Sequence, residues 1–175
     1  MIFADYFFKK KIRKLIAAAS AREHQFCPLA EAKNILVLYN VEDELVVVPF
    51  IDQLTTQGKQ VNSVAYMLKA DTRKQDSPDK TLSTSATFLV SGNKIPSKAI
   101  CDRFNLFPAD ILIDLSREKS PPLKLLMLQH PAHFKVGIRY AEESIHDFAI
   151  IMTEGKSLSE LSEQVLFYLQ TIRSK

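Results

Sequence analysis

The apolar residues of this chain fall into short runs bounded by polar residues. KNILVLYN at 33–40 and DILIDLS at 110–116 have the length and apolar density of strands buried on both faces. Similar runs predict further strands at 61–68, 87–90, 134–139 and 147–152.

Segments with a helical period separate most of these strands. Residues 43–57 predict a helix that ends at Gly58, with an inner face made of Leu45, Val48, Phe50 or Ile51, and Leu54. Further helices are expected at 97–104 and 121–130, whereas the polar residues 70–83 predict a loop. Ser157 and Glu160 have capping-box spacing, and the helix they begin has the apolar stripe Leu161, Val165, Tyr168, Leu169 and Ile172.

Strands separated by helices predict a mostly parallel sheet, because parallel strands need crossover connections that cover both faces. The expected fold is a single three-layer, Rossmann-like α/β domain over residues 1–175, with its body at 30–175. In such folds ligands bind beyond the carboxyl ends of the strands. We expect three strands to be parallel neighbours or near neighbours, at 35–39, 62–68 and 110–115.

Residues 1–25 predict an additional amphipathic helix at the N-terminus. Its apolar stripe is Phe8, Ile12, Leu15, Ile16 and Ala19, and its other side holds Lys9, Lys10, Arg13 and Lys14. This segment has a charge balance of +4 (six Lys or Arg, two acids), against −1 for all other residues (seventeen against eighteen). The stripe suffices to dock the helix on the domain, and the alternative is peripheral contact of residues 5–20 with an anionic membrane.

Composition narrows the class of protein. With 175 residues, 46% of them hydrophobic and 25% charged, the chain is ordinary for one soluble domain, and its near-neutral body argues against nucleic-acid binding. Cys27 and Cys101 make no disulfide framework, and no run approaches the ~20 apolar residues of a membrane span. No signal peptide is evident, so we expect a cytoplasmic protein.

Candidate chemistry is sparse. His130 and His133 have a spacing found in metal sites, but Pro131 lies between them and no third ligand is near in sequence. We therefore expect a surface pair and no metal, and the lack of a Gly-rich phosphate loop predicts no cofactor. Asp114 and Ser116 end the strongest strand, where they could bind a ligand or where Asp114 could be a local hydrogen-bond acceptor.

The turn after the first strand, within NVEDELVVVPFIDQL at 40–54, contains three consecutive carboxylates. Asp43 and Glu44 are candidate binding residues, and Asp43 is also the candidate catalytic base. The alternative is a helix N-cap, with the Asp43 carboxylate close to the backbone N–H groups of the first turn.

VEDELVVVPFIDQL followed by KQVNSVAY resembles the first βαβ unit of the lipopolysaccharide heptosyltransferases, which are glycosyltransferases of the GT-B type. In that unit an Asp follows the first strand and a Pro comes six residues later, as Asp43 and Pro49 do here. ADILIDLS with PPLKLLMLQHPAHFKVGIRY is similar to a later unit of those enzymes. The whole chain looks most like a family of short Bacteroidota proteins of unassigned activity, through ILIDLS, FKVGIRY and EQVLFYLQTI.

The resemblance implies that Asp43 corresponds to the base that deprotonates an acceptor hydroxyl, a role that needs a donor sugar held beside it. Those enzymes bind the donor largely through a second domain, and we expect this chain to form only one domain. One hypothesis is therefore a non-catalytic α/β domain, derived from half of a glycosyltransferase, that binds a partner protein or small ligand. The alternative is a glycosyltransferase-like enzyme that uses a donor-binding half from another chain.

Overall fold

The computed structural model describes residues 2–21, 25–67, 87–91, 96–116, 121–139, 145–151 and 155–171. Its helices are α1 (Ile2–Ala21), α2 (Glu44–Thr56), α3 (Lys98–Asn105), α4 (Pro121–Gln129) and α5 (Leu158–Thr171). Its strands are β1 (Asn34–Asn40), β2 (Gln60–Met67), β3 (Thr87–Ser91), β4 (Ile111–Asp114), β5 (Phe134–Arg139) and β6 (Phe148–Ile151). The loop predicted at 70–83 lies outside the described residues.

The described strands form one parallel sheet in the order β3-β2-β1-β4-β5-β6. β1 is at the centre and pairs with β2 on one side and β4 on the other, so the predicted neighbourhood of these three strands is confirmed. This is the strand order of doubly wound Rossmann folds, in which the direction of winding reverses between β1 and β4. The three-layer Rossmann-like prediction is therefore confirmed.

Side chains alternate between two apolar layers, one on each face of the sheet. One layer joins the sheet to α2 and α5, through residues such as Val37, Leu54 and Val165. The other joins it to α3 and α4, through residues such as Leu38 and Leu126. Both faces of the sheet are thus covered, as the continuous apolar runs of the strands require.

Helix α1 is docked on the second of these layers. Its apolar stripe packs there as predicted, and α1 contacts α4. The prediction that Ile12, Leu15 and Ile16 face the domain is therefore confirmed. No helix in the described ranges is long and apolar enough to cross a membrane.

Helix α2 buries the later part of the predicted face, Phe50, Ile51 and Leu54, but not its first residue. Val47, Phe50, Ile51 and Leu54 are buried at i, i+3, i+4 and i+7 spacing, whereas Leu45 is 90% exposed. The prediction was wrong for Leu45 because the chain first makes a 3-10 turn at Val41–Asp43, which sets the rotation at which α2 meets the sheet.

The end of α2 is as predicted. Gly58 has a φ of +78°, and the N–H groups of Gly58 and Lys59 donate to the carbonyls of Thr55 and Leu54. This pair of bonds is a Schellman motif, which needs a left-handed residue and so favours glycine. Pro49 lies inside the helix but is exposed, so its missing N–H falls on the solvent side of α2.

Helix α5 begins with the predicted capping box. The backbone N–H of Ser157 donates to Glu160 at 2.7 Å, and the N–H of Glu160 donates to the Ser157 hydroxyl at 3.3 Å. The Ser157 N–H also lowers the pKa of Glu160. In the predicted stripe Leu161, Val165 and Leu169 are buried, but Tyr168 is 44% exposed beside Phe148 and was wrongly predicted. Ile172 lies outside the described residues.

Candidate functional site

The candidate site is the crevice beyond the carboxyl ends of β1 and β4. The crossover from β1 through α2 leads to β2, and the crossover from β4 through α4 leads to β5, in the opposite direction along the sheet. The loops therefore part between these two strands and leave a crevice, the usual ligand position in open α/β folds. Asp43 and Glu44 follow β1 on one side of this position, and Asp114 ends β4 and Ser116 follows it on the other.

Asp114 is the centre of a buried hydrogen-bond network. Its Oδ1 accepts bonds from the backbone N–H of Ser116, at 3.0 Å, and from the Ser116 hydroxyl. Its Oδ2 lies 3.3 Å from Nε2 of His146, which is 32 residues away in sequence. All three residues are buried. Asp114 is thus a local hydrogen-bond acceptor for Ser116, which was one of the two roles expected from the sequence. It also joins β4 to the segment that precedes β6.

Gly137 makes room for this network. It lies beside Asp114 in the register of β4 and β5. A Cβ built on Gly137 would come within 2.3 Å of Nε2 of His146, so the imidazole passes directly over this glycine. A glycine in a strand interior commonly marks such a close approach. Sequence reasoning missed His146, and Gly137 was the signal that could have found it.

Asp43 takes the N-cap position of α2 but does not cap it with its side chain. Its backbone has φ −96° and ψ 4°, and its carboxylate accepts no bond from the first turn. A capping residue takes an extended backbone to aim its side chain at those N–H groups, and the preceding 3-10 turn prevents this. The predicted side-chain cap is therefore wrong. Asp43 is 3% exposed, and Glu44 beside it is partly buried.

The opposite end of the strands, where β5 begins, also contains a buried polar group. His130 is 3% exposed, so the predicted surface pair is wrong for it, although His133 is exposed. Nδ1 of His130 accepts from the N–H of Ala132, so Nε2 carries the proton and donates to the carbonyl of Phe107 at 3.1 Å. Burial lowers the pKa of His130 to about 4. His130 is therefore a neutral structural group.

Both cysteines are free thiols. Cys101 is buried and Cys27 partly buried, and burial is the main cause of the raised pKa of each. A raised pKa keeps a thiol protonated and unreactive, so both cysteines act as packed side chains. Within the described ranges no group of three or more His, Cys, Asp or Glu is arranged to hold a metal ion.

Comparison with known proteins identifies the family of this chain. The chain belongs to DUF6913, a family of unknown function, which it matches over residues 5–172. None of the curated proteins matches it in sequence.

A crystal structure of an exopolyphosphatase-related protein from Bacteroides fragilis has a similar fold, with a TM-score of 0.53 and 16% sequence identity. The similarity covers 81% of this chain and 41% of that one, so the chain spans less than half of the length of that protein. At this identity the likeness shows the shared fold.

Proposed function

We propose that this protein is a non-catalytic α/β domain that binds a small ligand or partner protein in the crevice between the ends of β1 and β4. The observation that carries the proposal is that the chain encloses both candidate carboxylates: Asp43, the candidate base, is 3% exposed, and both Asp114 oxygens are engaged by groups of the chain itself. A general base needs an oxygen that can reach the proton it removes. Asp114 instead holds the wall of the crevice in place.

The burial of Asp43 supports the same assignment. At 3% exposure its carboxylate has little surface for a substrate hydroxyl to approach. Glu44 and the exposed side of the same turn remain available for contacts with a ligand, and Leu45 stands beside them. Asp43 and Asp114 are therefore proposed to shape the crevice, and Glu44 and Ser116 to border its occupant.

Descent from half of a glycosyltransferase is part of this proposal and rests on the spacing of Asp43 and Pro49 and on the later DILIDLS unit. The alternative is a glycosyltransferase-like enzyme whose donor-binding half comes from another chain. The free thiols Cys27 and Cys101 support a reducing, cytoplasmic location. The fold shared with an exopolyphosphatase-related protein adds phosphate polymers to the ligands worth testing.

The test is calorimetric titration with a panel of sugar nucleotides and a short polyphosphate, followed by an assay for product. Leu45→Lys changes the rim of the crevice. Leu106→Lys is the matched control, because Leu106 is 81% exposed and lies between α3 and β4, at the amino ends of the strands. We expect binding without turnover, weakened about tenfold or more by Leu45→Lys alone.

Turnover of a sugar nucleotide by the chain in a cell lysate that can supply the donor-binding half, abolished in Asp43→Asn, would establish the enzymatic alternative instead. If no panel member binds, a photo-crosslinking residue at position 45 should still capture an occupant in cells, while the same residue at position 106 should not. Equal capture at both positions would count against the crevice as the binding site.

A further inference from the structure

The outer face of α1 is densely cationic. Five exposed basic side chains lie within six consecutive residues: Lys9, Lys10, Lys11, Arg13 and Lys14. At about 100° per residue they occupy an arc of roughly 200° on the helix surface, and the apolar stripe docked on the domain is centred on the opposite side. No acidic residue occurs in the sequence between residues 6 and 21, so no carboxylate on this part of the helix offsets the charge.

This cationic face protrudes from a near-neutral body. All residues after 25 have a balance of −1, so the positive charge does not continue across the domain. A nucleic-acid strand or other flexible polyanion is usually held along a basic groove, with aromatic side chains between the charges. The face of α1 is convex and has cations but no aromatic side chain between residues 9 and 14. Its shape fits a flat anionic surface better than a strand.

We infer that α1 attaches this protein to the surface of anionic membranes through its five cations, while it remains docked on the domain. Because Ile12, Leu15 and Ile16 are packed against the core, they are not available to enter the bilayer. Binding is therefore electrostatic and reversible, with each Lys or Arg near the surface strengthening it roughly fivefold. It does not depend on what the crevice binds.

The experiment is co-sedimentation of the full chain with phosphatidylcholine vesicles, with or without about one third phosphatidylglycerol. Lys10→Glu with Lys14→Glu reverses the centre of the cationic face. Lys33→Glu with Lys156→Glu is the control, since Lys33 precedes β1, Lys156 lies beside α5 on the other face of the sheet, and the change in net charge is identical. Thermal melts check that both double variants are folded.

We expect the wild type and the control to bind the anionic vesicles, and the Lys10, Lys14 variant to bind at least about 25-fold more weakly, from the two cations lost. Raising NaCl from about 0.05 M to about 0.5 M should release the protein, because exposed charges are screened. Neutral vesicles should not bind.

Three results would overturn the inference. Equal loss in both double variants would mean that net charge, not this face, is responsible. Binding that survives high salt would mean that apolar residues enter the bilayer. A single-stranded oligonucleotide that binds wild type more tightly than the vesicles do, and that loses binding in the Lys10, Lys14 variant, would identify a polyanion as the partner.

Discussion

β4 has an aspartate at each end, and the two carboxylates have different roles. At the amino end, Oδ2 of Asp110 accepts the backbone N–H groups of Lys33 and Asn34, both at 2.8 Å, and ties β4 to the start of β1. At the carboxyl end, Asp114 uses one oxygen for Ser116 and the other for His146. Asp110 is partly exposed, whereas Asp114 is buried.

The difference shows how position decides what a carboxylate can do. A single acceptor oxygen satisfies the two N–H groups at Asp110, so a neutral amide could replace it. Asp114 connects donors on two sides, and an amide offers only one acceptor oxygen. The end of β4 at which folds of this kind usually bind ligands is therefore the end whose polar groups are hardest to replace.

The largest expected effect comes from Asp114→Ala. It leaves the Ser116 hydroxyl and the His146 ring buried without their acceptor, so we expect the free energy of unfolding to fall by about 3 kcal/mol. Asp114→Asn keeps one acceptor and should lose about half as much. Urea unfolding of both variants measures this. If the two variants lose the same amount, the carboxylate charge rather than its second bond is responsible.

Lowering the pH should reduce the free energy of unfolding by a similar amount through His130, which lies near the amino end of β5. The pKa of His130 is about 4 in the folded protein and about 6.5 when unfolded, so the unfolded state takes up the proton first as pH falls. The free energy of unfolding should therefore decrease by up to about 3 kcal/mol from pH 6.5 to pH 4. His130→Gln should flatten that part of the curve, whereas His133→Gln, at an exposed position, should leave it unchanged.

Gly137→Ala tests whether the His146 ring lies against Gly137 of β5. The added methyl would overlap the imidazole, and overpacking of this kind costs about 1–3 kcal/mol. In a His146→Ala background the same substitution has space, so its cost should largely disappear. A double-mutant cycle in urea measures the coupling. Independent, additive losses would mean that the ring does not lie over Gly137.

The smallest expected effect is Asp110→Asn, at about 0.5–1 kcal/mol near neutral pH, because the amide oxygen can still accept both N–H groups. The Asn34 N–H is the main cause of the lowered pKa of Asp110. This contribution is present above the ordinary Asp pKa and is lost as pH falls through the folded value. Acid titration of stability should thus be shallower below about pH 4 in the variant. A loss as large as in Asp114→Asn would remove the contrast between the two ends.

The sheet was predictable because each strand has a local signal. The runs around Val37 and Ile113 are apolar at consecutive positions, so their side chains are buried on both faces of the sheet. A parallel sheet covered by helices on both sides buries such runs. Capping signals were equally local, as Gly58 and Ser157 show. These features depend on neighbours within a few residues.

The candidate site was less predictable because its contacts are long-range. Asp114 and Ser116 were expected at the crevice, but the His146 bond spans 32 residues and depends on a glycine in a third element. Leu45 and the Asp43 side chain were misassigned for one common reason, a 3-10 turn of three residues that no periodicity marks. The turn changes the side chains next to it, whereas Phe50, Ile51 and Leu54 further along α2 are buried as predicted.

The central place of β1 has a consequence for the newly made chain. β2 follows β1 closely, but β4 comes far later, with Asp110 76 residues beyond Asn34. During synthesis one edge of an apolar strand therefore remains unpaired until its partner is translated. Unpaired strand edges of this kind promote aggregation, and pairing over such distances is slow. We expect β1 and β2 to be the segment of the nascent protein that most needs a chaperone.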